Sequence, residues 1–203
     1  LSDGSTVDVA PSDGDTLRWR LWSGETGQLH PQKDGTWTDT AGWTDHPDSR
    51  TVSFSDCAKG DIAFGKDSGH KIAFDVTDTT FESNGVELAG RLVLPKGDGK
   101  VPVVVLTHGS EHDSALDFYS LQRMFPAQGI GVFVFDKRGT GVSGGSYTQD
   151  FATLADDDIA AMREARRLAG ARAGRVGYQG GSEAGWVVPL AVNKAPVDFA
   201  IIG

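Results

Sequence analysis

The chain has 203 residues, of which 38% are apolar and 23% are charged, and its formal net charge at pH 7 is −9. This composition is ordinary for a globular protein with one large or two small domains. The acidic balance argues against a nucleic-acid partner, because phosphate binding needs a basic surface. The longest strongly apolar run, near Val101–Leu106, is far too short to span a membrane.

The start of the chain and its cysteine content bear on where the protein works. The first residue is Leu1, and no basic and apolar leader is recognisable after it. This start fits a mature exported protein and equally a shortened chain, so a periplasmic or secreted location is favoured only slightly over the cytoplasm. The single cysteine, Cys57, excludes an intramolecular disulfide and a metal site built from several cysteines. Free cysteine is commonly buried, which favours a structural thiol.

Residues 1–78 have the pattern of a small β-rich domain. Short alternations of apolar and polar residues are broken by Asp-Gly, Ser-Gly and Gly-Lys turns, and no helical period is present. Four of the five tryptophans lie here. They could line a ligand platform, but the large area that an aromatic side chain buries favours a hydrophobic core. The predicted strands are 16–22, 36–37, 50–54, 61–64 and 71–76.

From residue 79 onward the predicted elements alternate between strands and helices. The Asn84-Gly85 pair predicts a two-residue hairpin turn, and the apolar run at 101–107 predicts a strand buried on both faces. A helix is predicted over Phe151–Ala169, where the acidic residues 156–158 suit the helix dipole. Residues 79–203 are therefore predicted to be part of an α/β domain, with a mostly parallel sheet and helices on both faces. The other predicted elements are strands at 130–135, 175–179 and 197–202 and helices at 117–128 and 183–193.

Ser182 lies at the junction of a predicted strand and a predicted helix, between small residues. The segment reads GGSEAG, with Gly180 and Gly181 before the serine and Ala184 and Gly185 after it. A tight turn here would lift the hydroxyl above the sheet, while side chains at the flanking positions would collide with the adjacent strand and helix. This is the pattern of a nucleophile elbow, with alanine in place of the final glycine of the strict form. A glycine-rich helix start with Ser182 as its N-cap is the structural alternative.

His108, Gly109 and Ser110 directly follow the strand predicted at 101–107. In this architecture the loop after that strand supplies one N–H of an oxyanion hole, and the residue after the nucleophile supplies the other. Ser110 and Glu183 are therefore the predicted main-chain donors, each typically worth about 3–4 kcal/mol to a tetrahedral intermediate. Gly109 allows close approach of the backbone, and His108 is a supporting residue of the same loop.

Two further patterns suggest other chemistries that their context argues against. His108, Glu111 and His112 match the H-x-x-E-H zinc pattern, but that pattern needs a helix, and a strand has just ended. Residues 139–144 match the dinucleotide fingerprint, but three polar residues intervene after the strand and no helix with an apolar face follows. Both segments are interpreted as loops, and no metal or organic cofactor is expected.

Together these motifs resemble about the first two-thirds of an α/β-hydrolase. The segments HGS at 108–110, DKRGTGVS at 136–143 and GGSEAGWVVPL at 180–190 resemble bacterial serine esterases of the EstD-like, dienelactone-hydrolase-related group. The segment 136–143 matches a D-x-R-G-x-G-x-S turn that is mainly structural in that family, and residues 1–78 resemble its N-terminal extension. The resemblance implies hydrolysis of small carboxylic esters or thioesters through an acyl-enzyme at Ser182, without a metal or organic cofactor.

The chain offers no credible general base or acid for Ser182. In this fold the triad follows the order serine, acid, histidine, but all five histidines precede Ser182. Asp198 lies at the amino end of the last predicted strand, whereas active sites gather at carboxyl ends. The segment 79–203 is also shorter than comparable α/β domains, which have roughly 200–250 residues. We expect a C-terminal segment or a second chain to supply the missing pair, and this chain alone to be nearly inactive.

Three alternatives remain open at this point. His108 or His112 could act as the base, although loop residues in this position normally cover the acyl pocket. A fold that has lost its triad could serve as a non-catalytic binding or assembly module. Among enzymes, a thioesterase or a small-peptide hydrolase fits the same residues, because the motifs do not define the acyl or leaving group.

Overall fold

The computed structural model describes residues 1–56 and 59–203, so the predicted structural thiol Cys57 lies outside the described residues. The chain forms two compact units, Leu1–Ala73 and Phe74–Gly203. The strand Phe74–Ser83 belongs to the second unit and runs across residue 78, where the sequence changes character. The assignment of 1–78 and 79–203 as separate domains stays a prediction.

The first unit is one antiparallel sheet of seven strands, in which each strand pairs with the next along the chain. The sequence pattern missed the first, third and seventh strands, which have five, six and three residues and are too short to establish a periodicity. The predicted strand at 71–76 is not part of this sheet. In chain order the strands are β1 (Val7–Pro11), β2 (Leu17–Leu21), β3 (Thr26–Pro31), β4 (Trp37–Ala41), β5 (Pro47–Asp56), β6 (Asp61–Phe64) and β7 (Asp67–Gly69).

Trp19 lies at the centre of the hydrophobic core of this unit. It is 3% exposed and meets Phe64 edge to face at 5.3 Å. The Arg50 guanidinium lies 4.2 Å from the centre of one Trp19 ring, a favourable cation–π distance. The expected core role of the tryptophans therefore holds for Trp19, whereas Trp22 and Trp43 are 51% and 75% exposed.

The second unit begins with the predicted hairpin. Strands β8 (Phe74–Ser83) and β9 (Val86–Pro95) pair antiparallel up to Ser83 and Val86, on either side of the turn. Asn84 and Gly85 have φ values of 51° and 76°, and a type I′ turn requires positive φ at both positions. The Asn84-Gly85 prediction is confirmed.

The second unit continues as a mostly parallel sheet, as predicted. Four of its six strands run parallel, namely β10 (Val101–Leu106), β11 (Gly131–Phe135), β12 (Ala173–Gly180) and β13 (Phe199–Ile202). Strand β9 attaches the hairpin to them by pairing antiparallel with β11. The order across the sheet is β13-β12-β10-β11-β9-β8, so β10 lies between β11 and β12, and the carboxyl ends of these three strands meet at one edge. Ligands of such sheets bind beyond that edge.

Helices cover both faces of this sheet because alternate residues of its strands point to opposite sides. Val103 and Val105 join the core beneath α3 (Phe151–Ala169) and α4 (Ala184–Lys194). The alternate residues, including Val104 and Leu106, join a second core that packs against α1 (Ala115–Phe118) and α2 (Leu121–Met124). No helix of the described residues is long and apolar enough to cross a membrane.

The helix predicted at 117–128 is wrong in detail. The structure has two single-turn helices there, α1 (Ala115–Phe118) and α2 (Leu121–Met124), followed by a 3₁₀ turn at Pro126–Gln128. Pro126 lacks the N–H that a continuous helix would need. Gly129 then ends the segment with a φ of 82°.

The acidic residues 156–158 of α3 do more than interact favourably with the helix dipole, because two of them are buried and accept hydrogen bonds from other segments. Asp157 and Asp158 are each 1% exposed. Arg138 donates two hydrogen bonds to the Asp157 carboxylate, at 2.7 and 2.5 Å, and the Thr107 hydroxyl donates to Asp158 Oδ2 at 2.9 Å. These bonds hold α3 to the segments that follow β10 and β11.

Asp158 should make the stability of the protein depend on pH. Burial raises the pKa of Asp158 to about 8, opposed by the hydrogen bond from Thr107 and reinforced by the charge of Asp157. The folded state thus holds this proton more tightly than the unfolded chain, and stability present below about pH 4 is lost as the pH rises toward about 8. We expect the Asp158→Asn variant to gain melting temperature relative to the parent between about pH 5 and 8, because the amide stays neutral.

Asp156→Asn is the matched control on the same helix. Asp156 accepts a hydrogen bond from Lys194 Nζ at 2.7 Å, which is the main cause that lowers the pKa of this carboxyl. Its ionisation is complete below this pH range, so its effect on melting temperature should be constant across it. A constant difference for Asp158→Asn as well would contradict the prediction.

Candidate active site

Ser182 occupies a strained turn between β12 and α4. Its φ is 58°, and Asn84 is the one other non-glycine residue with positive φ among the described residues. A non-glycine residue in this region costs about 1–3 kcal/mol and is often found at functional sites. Ser182 is exposed, while Glu183 and Ala184 beside it are buried. The structure also places Glu183, not Ser182, at the N-cap of α4, which removes the N-cap alternative.

The small residues around Ser182 are not equally necessary. A Cβ atom at Gly180 would lie 2.4 Å from Ala184 Cβ, a distance that real Cβ atoms do not reach. A Cβ at Gly181 would lie 3.3 Å from the Gly203 carbonyl oxygen, and one at Gly185 would lie 3.4 Å from Ile202 Cγ2. The elbow therefore requires glycine at 180 and tolerates a methyl group at 185.

His108 belongs to the buried part of the loop after β10. It is 3% exposed, and its Nε2 lies 3.0 Å from the Asp113 carbonyl oxygen, while Nδ1 lies 3.3 Å from that of Gly109. Burial lowers the pKa of His108, although the nearby Glu111 opposes this shift. A neutral imidazole has one N–H and can donate to only one of these two carbonyl oxygens. The burial of the ring within the loop favours a structural role over that of a base.

The remaining residues of the zinc pattern lie in the same irregular loop rather than on a helix. Glu111 accepts a hydrogen bond from the Tyr119 hydroxyl, and His112 stacks on the Tyr147 ring at 3.7 Å. Burial opposes ionisation of Glu111, but the Tyr119 bond and further hydrogen bonds prevail and lower its pKa. The segment 139–144 also forms turns and no helix start. The interpretation of both patterns as loops is confirmed.

Asp136 organises the turn that follows β11. It is fully buried, and its carboxylate accepts hydrogen bonds from the Ser114 hydroxyl at 2.9 Å and from the Val142 N–H at 3.1 Å. The Ser143 hydroxyl donates to the Asp136 carbonyl oxygen at 2.6 Å and accepts from the Ala89 N–H at 2.9 Å. These contacts fit the structural role that the resemblance implies for the turn at 136–143.

Lys137 connects the loops that follow β10, β11 and β12. Its Nζ donates to the Gly109 carbonyl oxygen at 2.6 Å and to Glu183 Oε1 at 2.9 Å. The side chains of Lys137 and Glu183 are 3% and 4% exposed. The sequence analysis assigned no role to Lys137. A lysine within the turn at 136–143 is visible in the sequence, but nothing in the sequence indicates its partners.

Ser110 and Glu183, the predicted main-chain donors, lie in the loops that follow β10 and β12. Within the part of the chain that the structure describes, the N–H groups of Ser110 and Glu183 donate to no protein atom. The N–H of Gly109, in contrast, donates to the Tyr119 hydroxyl at 3.1 Å. Among the described residues, these two N–H groups at the carboxyl edge of the sheet therefore have no acceptor.

Ser182 lacks a base in the arrangement seen here. Among residues 1–56 and 59–203, its hydroxyl has no hydrogen-bond partner. Asp198 accepts from the Val176 N–H at 2.7 Å, near the start of β12, whereas Ser182 follows the end of that strand. The aspartate is therefore placed at the opposite end of the sheet from Ser182.

The strand order, the elbow and the adjacent loops define the class of protein as the α/β-hydrolase superfamily. More specifically, residues 84–202 match the X-Pro dipeptidyl-peptidase (S15) family. This match covers more than half of the chain, and the chain therefore belongs to that family. A search of curated proteins found no match.

Similar solved structures share the fold. An α/β serine hydrolase without a lid from Xanthomonas campestris is 21% identical, with a TM-score of 0.53 over 63% of this chain and 60% of that one. An α/β hydrolase from a Penicillium species is 19% identical, with a TM-score of 0.53 over 63% and 45%. A hypothetical protein from Pseudomonas aeruginosa is 21% identical, with a TM-score of 0.54 over 64% and 42%. The chain spans less than two-thirds of each relative's length.

Substitution of alanine at Gly180 and at Gly185, on either side of Ser182, should affect the free energy of unfolding differently. Gly180→Ala should destabilise the protein by about 1–3 kcal/mol, because the new methyl group meets Ala184 and the segment must shift. Gly185→Ala, on the following helix, should be neutral or stabilising by up to about 1 kcal/mol. Urea denaturation of both variants measures this. Equal loss of stability at the two positions would contradict the assigned packing.

Proposed function

We propose that this chain carries the nucleophile of a serine hydrolase that acts on small carboxylic esters through an acyl-enzyme. The observation that carries the proposal is the left-handed, exposed Ser182 at the junction of β12 and α4. A structural serine would have no reason to hold this strained conformation, whereas a nucleophile needs its hydroxyl above the sheet edge. The HGS loop and the DKRGTGVS turn support a relationship to EstD-like, dienelactone-hydrolase-related bacterial esterases.

The proposed reaction uses the main chain of two loops. Ser182 Oγ attacks the substrate carbonyl carbon and its proton passes to a general base, while the carbonyl oxygen becomes an oxyanion. The N–H groups of Ser110 and Glu183 donate to that oxyanion. The carbon–oxygen bond to the leaving group then breaks, and the alcohol takes up the proton. Water hydrolyses the acyl-enzyme and restores the serine.

The general base and its acid are proposed to come from a C-terminal segment or a second chain. The surface next to the elbow supports this, because it exposes large apolar side chains. Trp186 and Leu190 of α4 are 68% and 41% exposed, and Ile201 and Ile202 of β13 are 57% and 46% exposed. β13 pairs only with β12 among the described strands, so its other edge is available for pairing.

Hydrolysis of peptides is the second candidate, and membership of the X-Pro dipeptidyl-peptidase family favours it. The same nucleophile and oxyanion donors serve both reactions, since esters and amides pass through similar tetrahedral intermediates. The two differ in the leaving group, which must be protonated more completely when it is an amine. A thioesterase uses the same residues again.

The nucleophile assignment predicts the outcome of labelling with a fluorophosphonate probe. In the full-length protein the probe should modify Ser182, and Ser182→Ala should abolish labelling and lower kcat by about 10⁴-fold or more. This chain alone should react far more slowly, because its serine lacks a base. A full-length protein that folds but is not labelled at Ser182 would favour a non-catalytic binding or assembly module.

Two variants control this experiment. Ser110→Ala keeps the main-chain N–H, so labelling and turnover should stay within a few-fold of the parent. His112→Ala should also leave turnover unchanged, because the histidine stacks on Tyr147 and is not bonded to Ser182. Loss of turnover in His112→Ala, with the fold intact, would restore the loop histidine as a candidate base.

A comparison of leaving groups distinguishes the candidate substrates. If the protein is an esterase, kcat/KM for p-nitrophenyl esters of short acids should exceed that for Xaa-Pro anilides and for thioesters by at least about tenfold, after correction for intrinsic reactivity. If Xaa-Pro anilides are preferred, the ester assignment is wrong and the peptidase candidate takes its place. Ser182→Ala is the background for every substrate.

A further inference from the structure

We propose that Lys137 is a positioning residue that holds both main-chain donors of the oxyanion hole. The inference rests on the proposed function of Ser182, Ser110 and Glu183 and extends it to a side chain outside the catalytic motif. Its basis is the contact of one ammonium group with both loops, at 2.6 Å to Gly109 O and 2.9 Å to Glu183 Oε1.

The first contact determines the direction of the Ser110 N–H. The Gly109 carbonyl and the Ser110 N–H belong to one planar trans peptide unit, so they point in opposite directions. Lys137 is buried and binds the carbonyl from the protein interior, whereas Ser110 is exposed. The Ser110 N–H therefore points away from Lys137, toward the outer side of the loop where a ligand can reach it.

The second contact restrains Glu183, whose N–H is the other proposed donor. Both side chains of the ion pair are nearly fully buried, so breaking it would leave an uncompensated charge in the interior. The ammonium also neutralises a carboxylate on the residue that supplies the donor. Without Lys137, that carboxylate would repel the negative charge that develops on the substrate oxygen.

Tyr147 completes the support of the loop from the same segment of chain. Its ring lies 4.5 Å from Lys137 Nζ, and its hydroxyl donates to the Ser110 carbonyl oxygen at 2.7 Å. Two successive carbonyl oxygens of the loop, those of Gly109 and Ser110, are thus held by residues that follow β11. The loop cannot rotate its peptide units without breaking these bonds.

Arg138 provides a matched control for a merely structural effect. It is the next residue in the chain, and it forms a partly buried ion pair with the buried Asp157 at 2.5 Å. Its partner lies on α3, and its side chain has no hydrogen bond to the Gly109 loop or to the elbow among the described residues. Removal of either basic residue breaks an ion pair of low exposure, but only Lys137 contacts the peptide unit that carries the Ser110 N–H and the side chain of Glu183.

The test compares Lys137→Met with Arg138→Met in the full-length protein. We expect both variants to lose stability, while Lys137→Met alone lowers kcat for an ester by about 10²–10³-fold, with KM within about threefold. The inhibition constant of a trifluoromethyl ketone, which forms a tetrahedral adduct, should rise by a similar factor. Equal kcat values for the two folded variants would overturn the proposal.

A second variant separates positioning from the effect of an unpaired charge, and it applies even if Lys137→Met does not fold. In Lys137→Met with Glu183→Gln, no uncompensated carboxylate remains, so stability should recover while kcat stays low. Recovery of kcat in this double variant would overturn the positioning role. A parent protein that neither hydrolyses esters nor labels at Ser182 would instead show that the proposed function itself is wrong.

Discussion

The buried ammonium of Lys137 constrains the arrangement of the whole site. Transfer of a charge into a protein interior costs several kcal/mol unless partners compensate it. Lys137 finds them in the carbonyl of one loop and the carboxylate of another, at 2.6 and 2.9 Å. Because these partners follow different strands, the ion is stabilised only when the carboxyl ends of β10, β11 and β12 are in place. The strained turn at Ser182 is held within the same set of contacts.

A second group of buried polar side chains holds α3 against the sheet. Arg138 binds Asp157, and Asp158 accepts a hydrogen bond from Thr107, next to the loop that carries His108. Such polar contacts in an interior are weak contributors to net stability, but they are costly to break. Because each contact joins specific residues, these contacts favour one position of α3 along the strands, whereas apolar packing is less specific. The carboxyl edge of the sheet is thereby built mainly from paired polar groups, and the sheet below it from valine, leucine and phenylalanine.

The predictions that succeeded concern features encoded by neighbouring residues. The Asn84-Gly85 turn, the buried strand at Val101–Leu106 and the helix Phe151–Ala169 each follow from a local pattern, and the structure contains all three. The helix predicted at 117–128 failed at two places: Tyr119 is extended between α1 and α2, and Pro126 interrupts the hydrogen-bond ladder after α2. Short strands of the first unit were missed, since one or two buried residues give no periodicity.

Most strands and helices from residue 79 onward, the turn at Ser182 and the HGS loop could be read from the sequence, because each depends on residues close together in the chain. Which polar groups pair with one another follows instead from the three-dimensional arrangement of the strands. Lys137 is 46 residues from Glu183 and 28 from Gly109, and Thr107 is 51 from Asp158. These pairs form because β10 lies between β11 and β12, an order that no local pattern specifies. Burial and charge compensation arise only when the sheet has assembled, whereas periodicity and turn preference depend on residues that are close together in the chain.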